Sequence, residues 1–151
     1  MEFGENIKFI QGNLFNSEYQ TLVNTVNCVG VMGKGIALEF KKQYPEMFEI
    51  YKSYCDEDLM VIGSLYLHKT PNKWVLNFPT KVHWRNPSKL EYIENGLQKV
   101  LDKYKEYEIT SIAFPLLGCS NGGLNREDVL PLMNEYLSKL EIPAEIYDYN
   151  L

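Results

Sequence analysis

The stretch Thr21–Lys42, TLVNTVNCVGVMGKGIALEFKK, constrains the fold more than any other part of the chain. Leu22 to Val26 read as a short apolar strand, interrupted by Asn24 and followed by Asn27. Gly30, Gly33 and Gly35 then open a helix predicted over residues 33–43, which carries Ile36, Ala37, Leu38 and Phe40. A strand, a glycine loop and a helix start make an anion-binding device. Glycine lets the backbone approach a phosphate closely, and unpaired N–H groups at the helix start point at it. The unit therefore predicts a phosphorylated small molecule or a phosphate-bearing modification as ligand. The alternative is a glycine turn with no ligand, since glycine punctuates many turns. The order Gly30-x-x-Gly33-x-Gly35 departs from the dinucleotide pattern G-x-G-x-x-G. Gly33-Lys34 is followed by Gly35, where an NTPase loop needs Ser or Thr to reach Mg²⁺. Neither a dinucleotide oxidoreductase nor an NTPase is favoured.

The remaining elements alternate. Ile7 to Gln11 is a strand, and Pro45 fits the first turn of a helix running through about Tyr54. Ser64–His68 and Trp74–Phe78 read as strands joined by a turn at Pro71-Asn72. Ser88-Lys89-Leu90-Glu91 reads as a capping box, with Ser at the N-cap and Glu at the third helical position. Leu90, Ile93, Leu97, Val100, Leu101 and Tyr104 keep helical spacing, so that helix packs one face on a sheet. Ile109–Phe114 is a strand ending at Pro115. Asn125 with Asp128 resembles another helix start, followed by the apolar stripe Val129, Met133, Leu137 and Leu140. Ala144–Tyr149 is a closing strand. This alternation predicts an α/β domain with helices on both faces of a sheet.

At 151 residues and 45% hydrophobic content, the chain has enough apolar mass for one domain with a core. Its 3 cysteines include no C-x-x-C pair, which suits a reducing cytoplasm and argues against a disulfide scaffold or zinc ribbon. Met1-Glu2-Phe3-Gly4-Glu5 lacks the basic start of a signal peptide, and no apolar run reaches membrane-span length. The net charge of -5 argues mildly against broad nucleic-acid binding. The charge is uneven, however. Leu59–Leu90 contains no Asp or Glu but holds Lys69, Lys73, Lys81, Arg85, Lys89 and both histidines, His68 and His83. Two readings stay open: a solvated surface, or a groove for a polyanion near Lys81.

Ligands of such folds sit beyond the carboxyl ends of strands. Three polar loops fall there: Asn27–Gly35, Asn77–Trp84 and Pro115–Gly123. The last is a second glycine loop, again between a strand and a helix start. Two such loops suit a pyrophosphate, one clasping each side.

Over essentially its whole length the chain resembles a macrodomain. The likeness is carried by Gln11-Gly12-Asn13-Leu14, Val23-Asn24-Thr25-Val26-Asn27, Gly30–Ala37 and Pro115–Leu124. Gly33-Lys34-Gly35-Ile36-Ala37, followed by Phe40-Lys41-Lys42 and Tyr44-Pro45, is similar to the branch holding the terminal ADP-ribose glycohydrolases and the DarG antitoxins. Asn77-Phe78-Pro79-Thr80-Lys81 resembles the DarG type most closely. The resemblance implies a single macrodomain over residues 1–151, three-layer α/β/α with a mixed central sheet. It implies an ADP-ribosyl glycohydrolase that removes ADP-ribose from thymine bases of single-stranded DNA, opposing a cognate ADP-ribosyltransferase toxin. DarG antitoxins carry a further C-terminal domain, so an excised domain and a free-standing relative both stay open. A cytoplasmic monomer without cofactor is expected.

The resemblance also implies roles. Asn27 would bond hydroxyls of the distal ribose, the sugar at the cleaved bond. Gly33, Lys34, Gly35 and Ile36 would cover the diphosphate and that ribose. Gly118, Cys119, Ser120, Asn121, Gly122 and Gly123 would wrap the other side. Lys81 would stand at the anomeric carbon as the catalytic residue. Two positions depart from the family pattern. Many macrodomains place an Asp on the adenine amino group where this chain has Asn13, whose side-chain oxygen can accept the same bond. The protein-directed relatives pair the lysine with an Asp in the second glycine loop, and Cys119–Leu124 contains no carboxylate.

Breaking an N-glycosidic bond builds positive charge on the ribose and negative charge on the base. An uncharged Lys81 attacks the anomeric carbon; a charged one stabilises or protonates the leaving thymine. The sequence leaves both open. Cys28 and Cys119 have no candidate base, and His68 and His83 lack metal-ligand spacing, so no metal is expected. His83, Trp84 and Arg85 read as a base-stacking and phosphate-contacting edge, or else as aromatic packing at a strand end. Besides the DNA-directed hydrolase, two classes remain: a hydrolase of protein-linked ADP-ribose esters or ADP-ribose 1″-phosphate, and a module that binds ADP-ribose without turnover.

Overall fold

The computed structural model describes residues 1–148. Strands β1 (Ile7–Gln11), β2 (Thr21–Asn27), β3 (Tyr66–Lys69), β4 (Trp74–Lys81), β5 (Ile112–Pro115) and β6 (Ala144–Asp148) form one sheet. Helices α1 (Gly35–Gln43), α2 (Pro45–Asp56), α3 (Leu90–Lys103) and α4 (Arg126–Leu137) flank it. The strand order is β1-β6-β5-β2-β4-β3. All neighbours are parallel except β3, which runs antiparallel to β4 at the edge. The mixed α/β/α sheet expected from the sequence is therefore present.

Each face of the sheet has its own core. Phe78, Phe114 and Ile146 pack with Ile93, Leu97 and Val100 of α3 and with Val129, Met133 and Leu137 of α4. On the other face, Leu22, Val26 and Val75 pack with Phe40 of α1 and with Met47, Phe48 and Tyr51 of α2. The central strands are buried on both faces, which is why β2 and β4 read as near-continuous apolar runs. Helix α3 lies so close to the sheet that a Cβ on Gly96 would meet Phe78 Cζ at 2.2 Å.

Several boundaries differ from the sequence reading. Helix α1 starts at Gly35, because Lys34 is still extended, with φ -160° and ψ 170°. Strand β5 starts only at Ile112. Tyr149, expected in the last strand, lies outside the described residues. The capping box at Ser88 does not form. Lys89 is the N-cap of α3, while Ser88 is buried and its N–H donates to the Gly122 carbonyl at 2.9 Å. Ser88 has been taken from the helix to brace the second glycine loop. Leu90, expected on the packed face of α3, is 40% exposed. Asn125 does cap α4, but through the backbone: the Asp128 N–H donates to its carbonyl at 3.0 Å.

Candidate functional site

The parallel strands end on one side, and the glycine loops begin there. Between them lies a cleft of about 1070 Å³. Asn27, Gly33, Lys34, Gly35 and Ile36 line it from the first loop; Gly118, Cys119, Ser120, Asn121 and Gly122 line it from the second. Lys81, Trp84 and Asn13 also line it. Gly123, His83 and Arg85 do not, although Gly123 belongs to the second loop.

Helix α1 begins at the cleft. Its N-cap, Lys34, makes no side-chain capping bond, so the first N–H groups of the helix keep their donors for a ligand. Gly35 has φ +63°, and a Cβ there would sit 2.9 Å from Asn121 Nδ2. The two loops thus touch at Gly35, and a side chain there would both strain the backbone and force them apart. Gly122 is equally constrained: its Cβ would fall 2.4 Å from the Gly118 carbonyl and 2.4 Å from Ser88 Oγ.

Asn27 shapes the first loop. Its Nδ2 donates to the Val31 carbonyl at 2.7 Å, and its Oδ1 accepts from the N–H groups of Val29 and Val31 at 3.1 and 3.3 Å. The buried Tyr51 hydroxyl of α2 lies 2.7 Å from the Asn27 carbonyl and 2.9 Å from its Oδ1. The Asn27 side-chain oxygen is thus engaged within the protein, and one amide hydrogen is left for a ligand. Asn13 is committed in the same way: its Oδ1 accepts the Phe15 N–H at 2.9 Å, starting a short 3₁₀ turn over Leu14–Asn16.

Lys81 owes its place to a bulge. Val26 pairs with Pro79, but Asn27 pairs with Lys81, so Thr80 is an extra residue in β4. The bulge brings Lys81 level with Asn27 at the cleft. Its Nζ donates to the Trp84 carbonyl at 3.3 Å. Burial, and then the neighbouring Lys34, hold its ammonium pKa below the usual lysine value. Of the residues that follow, Trp84 stays on the cleft wall while His83 and Arg85 lie outside it. The His83 and Trp84 rings are 5.3 Å apart at 30°, and the Arg85 guanidinium lies 4.7 Å from the Trp84 ring centre.

The acid-free segment does not form one positive face. Lys81 and Arg85 lie at the cleft end of β4. Lys73 precedes the opposite end, where its Nζ donates to the Ser17 carbonyl at 2.8 Å and to that of Tyr19. Lys69 covers the Trp74 ring at 4.4 Å. The alternation of strand and turn carries these lysines to both ends of one strand.

Burial pushes both Cys28 and Cys119 up to about 11, so neither is a thiolate at neutral pH. Among the described residues no group of His, Cys, Asp and Glu gathers as a metal site. No described helix is long and apolar enough to cross a membrane. The polar-loop pattern missed Arg126 and Asp148, which meet at 2.7 Å and line the cleft at the end of β6. The rule that ligands sit beyond strand ends reaches them once β6 is placed beside β5.

The family model described as Macro domain matches residues 23–133. The DNA ADP-ribosyl glycohydrolase of Mycobacterium tuberculosis is 46% identical over 146 residues, covering 93% of this chain and 42% of that protein. The solved macrodomain of M. tuberculosis DarG superposes with a TM-score of 0.90, covering 93% of this chain and 96% of that one. A DNA ADP-ribosyl transferase–DNA ADP-ribosyl glycohydrolase fusion protein of Thermosipho africanus is 40% identical, covering 95% of this chain and 42% of that protein. The structure of T. africanus DarTG in complex with ADP-ribose matches at 40% identity with a TM-score of 0.94, covering 99% of this chain and 43% of that one. The chain thus spans about two-fifths of the length of these curated relatives. Its strand order, paired glycine loops and these matches agree: the chain belongs to the macrodomain family.

Proposed function

We propose that this macrodomain is an ADP-ribosyl glycohydrolase that releases ADP-ribose from thymine bases of single-stranded DNA. The observation that carries the reading is Lys81: a cation on the cleft wall, level with Asn27, with its pKa held low. The relatives named DNA ADP-ribosyl glycohydrolase support it. In this reading the diphosphate lies between the glycine loops and the distal ribose beneath Asn27 and Lys81. Water replaces the base at the anomeric carbon, and the base leaves with a proton. As an ammonium, Lys81 stabilises the departing base or hands it that proton. As an amine, which its lowered pKa favours, it attacks the anomeric carbon first and water then releases the sugar. The exposed Trp84, packed beside His83, offers a face for a neighbouring base, and Arg85 over its ring offers a charge for the phosphate.

The fusion relative supports a cognate ADP-ribosyltransferase as the opposing activity, hence an antitoxin role in the cytoplasm. In this reading the macrodomain works as a monomer, without cofactor or metal. The deciding experiment offers it ADP-ribosylated single-stranded DNA, ADP-ribosylated protein and ADP-ribose 1″-phosphate side by side. Release from DNA is expected. Release only from the other substrates would give the ester or phosphate reading, and binding without release would give a reader module.

A further inference from the structure

Asp148 closes β6 with its side chain almost wholly buried, 4% exposed, yet it lines the cleft. Its Oδ2 meets the Arg126 guanidinium at 2.7 Å. Among the described residues no donor hydrogen is aligned on that buried oxygen, so the contact is an ion pair rather than a directed hydrogen bond. A buried carboxylate is costly unless its remaining valence is used. Arg126 meets it through Oδ2, and among the described residues no hydrogen bond reaches Oδ1, the oxygen left for a ligand.

The sheet order says which part of a ligand would come there. Lys81 ends β4 and Asp148 ends β6, and β2 and β5 lie between them. Three strand spacings separate the two residues, roughly 14 Å across the sheet. The loops that follow β2 and β5 occupy the middle. A diphosphate held between those loops, with its ribose at Lys81, sends its adenosine toward β6. Asn13, the neutral candidate on that side, has its Oδ1 engaged by the Phe15 N–H.

We propose that Asp148, held by Arg126, is the group that reads the nucleobase, accepting a hydrogen bond from the adenine 6-amino group. This rests on the reading of ADP-ribose as ligand and adds the residue that sets its base preference. The chemistry makes the preference sharp. Adenine presents a donor at position 6, whereas hypoxanthine presents a carbonyl oxygen, which a carboxylate repels. Arg126 lies 2.7 Å from the other carboxylate oxygen and fixes the acceptor in place.

The test is calorimetric titration of the full chain with ADP-ribose and with its hypoxanthine counterpart, inosine diphosphate ribose. The wild type should prefer the adenine ligand by roughly 10- to 100-fold, the range for a hydrogen bond to a charged group. Asp148→Asn can offer either an acceptor or a donor, so its preference should fall to about threefold or less. A purely structural ion pair would weaken both ligands equally and leave the ratio unchanged, which would overturn the proposal. Asp148→Glu moves the carboxylate and should also lower the ratio, providing a second variant if the asparagine protein does not fold. Should neither variant fold, the wild-type ratio decides: a value near one overturns the proposal and tenfold or more supports it. DNA release is not part of this readout. A protein that discriminates the base but frees nothing from DNA keeps Asp148 and loses the glycohydrolase reading; one that binds neither nucleotide loses both.

Discussion

Lys73 and Lys81 flank the same strand and come from the same acid-free segment, yet they serve opposite ends of the molecule. Burial lowers the ammonium pKa of both. At Lys73 the cost is offset by two backbone carbonyls, Ser17 and Tyr19, and by Glu18 and Glu145, which pull its pKa back up. It ties the segment before β2 to the start of β4. Lys81 donates at 3.3 Å to one carbonyl and faces Lys34, another cation. Among the described residues no carboxylate offsets the cost of burying its ammonium. A lysine that is fully partnered reads as structure; one left partly unpartnered in a cleft reads as chemistry. The difference lies in the surroundings, not in the residue or its spacing.

Removing each amine in turn separates the two roles. Lys81→Ala should lower the release of ADP-ribose from DNA on the order of 100-fold or more, as for a lone acid–base or electrostatic group. ADP-ribose affinity should change little, because the loops supply most ground-state contacts, and an interaction made mainly in the transition state appears in turnover. Single-turnover assays and calorimetry read the two quantities separately. Lys81→Arg keeps the charge but not a nucleophilic amine. Retained activity in it would assign Lys81 an electrostatic role. Wild-type turnover in the alanine protein would reduce Lys81 to a surface residue.

Lys73→Met should do the reverse. The methionine keeps the apolar stem but leaves the Ser17 and Tyr19 carbonyls without their donor. A loss of about 1–2 kcal/mol follows from hydrogen bonds to a charged group. For a domain this size that is a drop of about 3–6 °C in Tm. Turnover should stay within about twofold of wild type. A large fall in turnover with an unchanged Tm would mean that the two ends of β4 are coupled and that Lys73 takes part in the chemistry.

Much of this was legible in the sequence because periodicity and glycine spacing are local. The alternation of elements, both glycine loops and the apolar stripes of α3 and α4 all follow from neighbours within a few residues. What the sequence hid was set by distant partners. Ser88 looks like a helix cap until Gly122 claims its N–H. The sequence does not show that Tyr51, the loop amides and Phe15 engage the side-chain oxygens of Asn27 and Asn13, which line the cleft all the same. The basic segment looks like one face until the chain carries Lys73 away from Lys81. Asp148 gives no local signal at all; it becomes a cleft residue only because β6 inserts between β1 and β5. The bulge at Thr80 is likewise visible only in the pairing of β2 with β4.

The smallest effect sharpens the comparison at its electrostatic root. Lys34 is the like charge that helps burial to hold the Lys81 pKa down. Lys34→Met removes it and should move the Lys81 titration to higher pH. Burial is the larger cause, so the shift should be only partial. In the pH profile of kcat at saturating DNA, the limb belonging to Lys81 should move upward whichever role the lysine plays. A rising limb means that the amine is the active form, and a falling limb means the ammonium. Stability gives an independent readout with a fixed sign. A lysine whose folded pKa lies below its unfolded value makes folding unfavourable while both states are charged. That penalty fades as pH rises through the folded value toward the unfolded one. Lys34→Met should therefore raise Tm slightly at neutral pH, and the gain should shrink under alkaline conditions. A limb that stays in place would show that Lys34 does not reach Lys81 through the solvent of the open cleft, and burial alone would then set the charge state of Lys81.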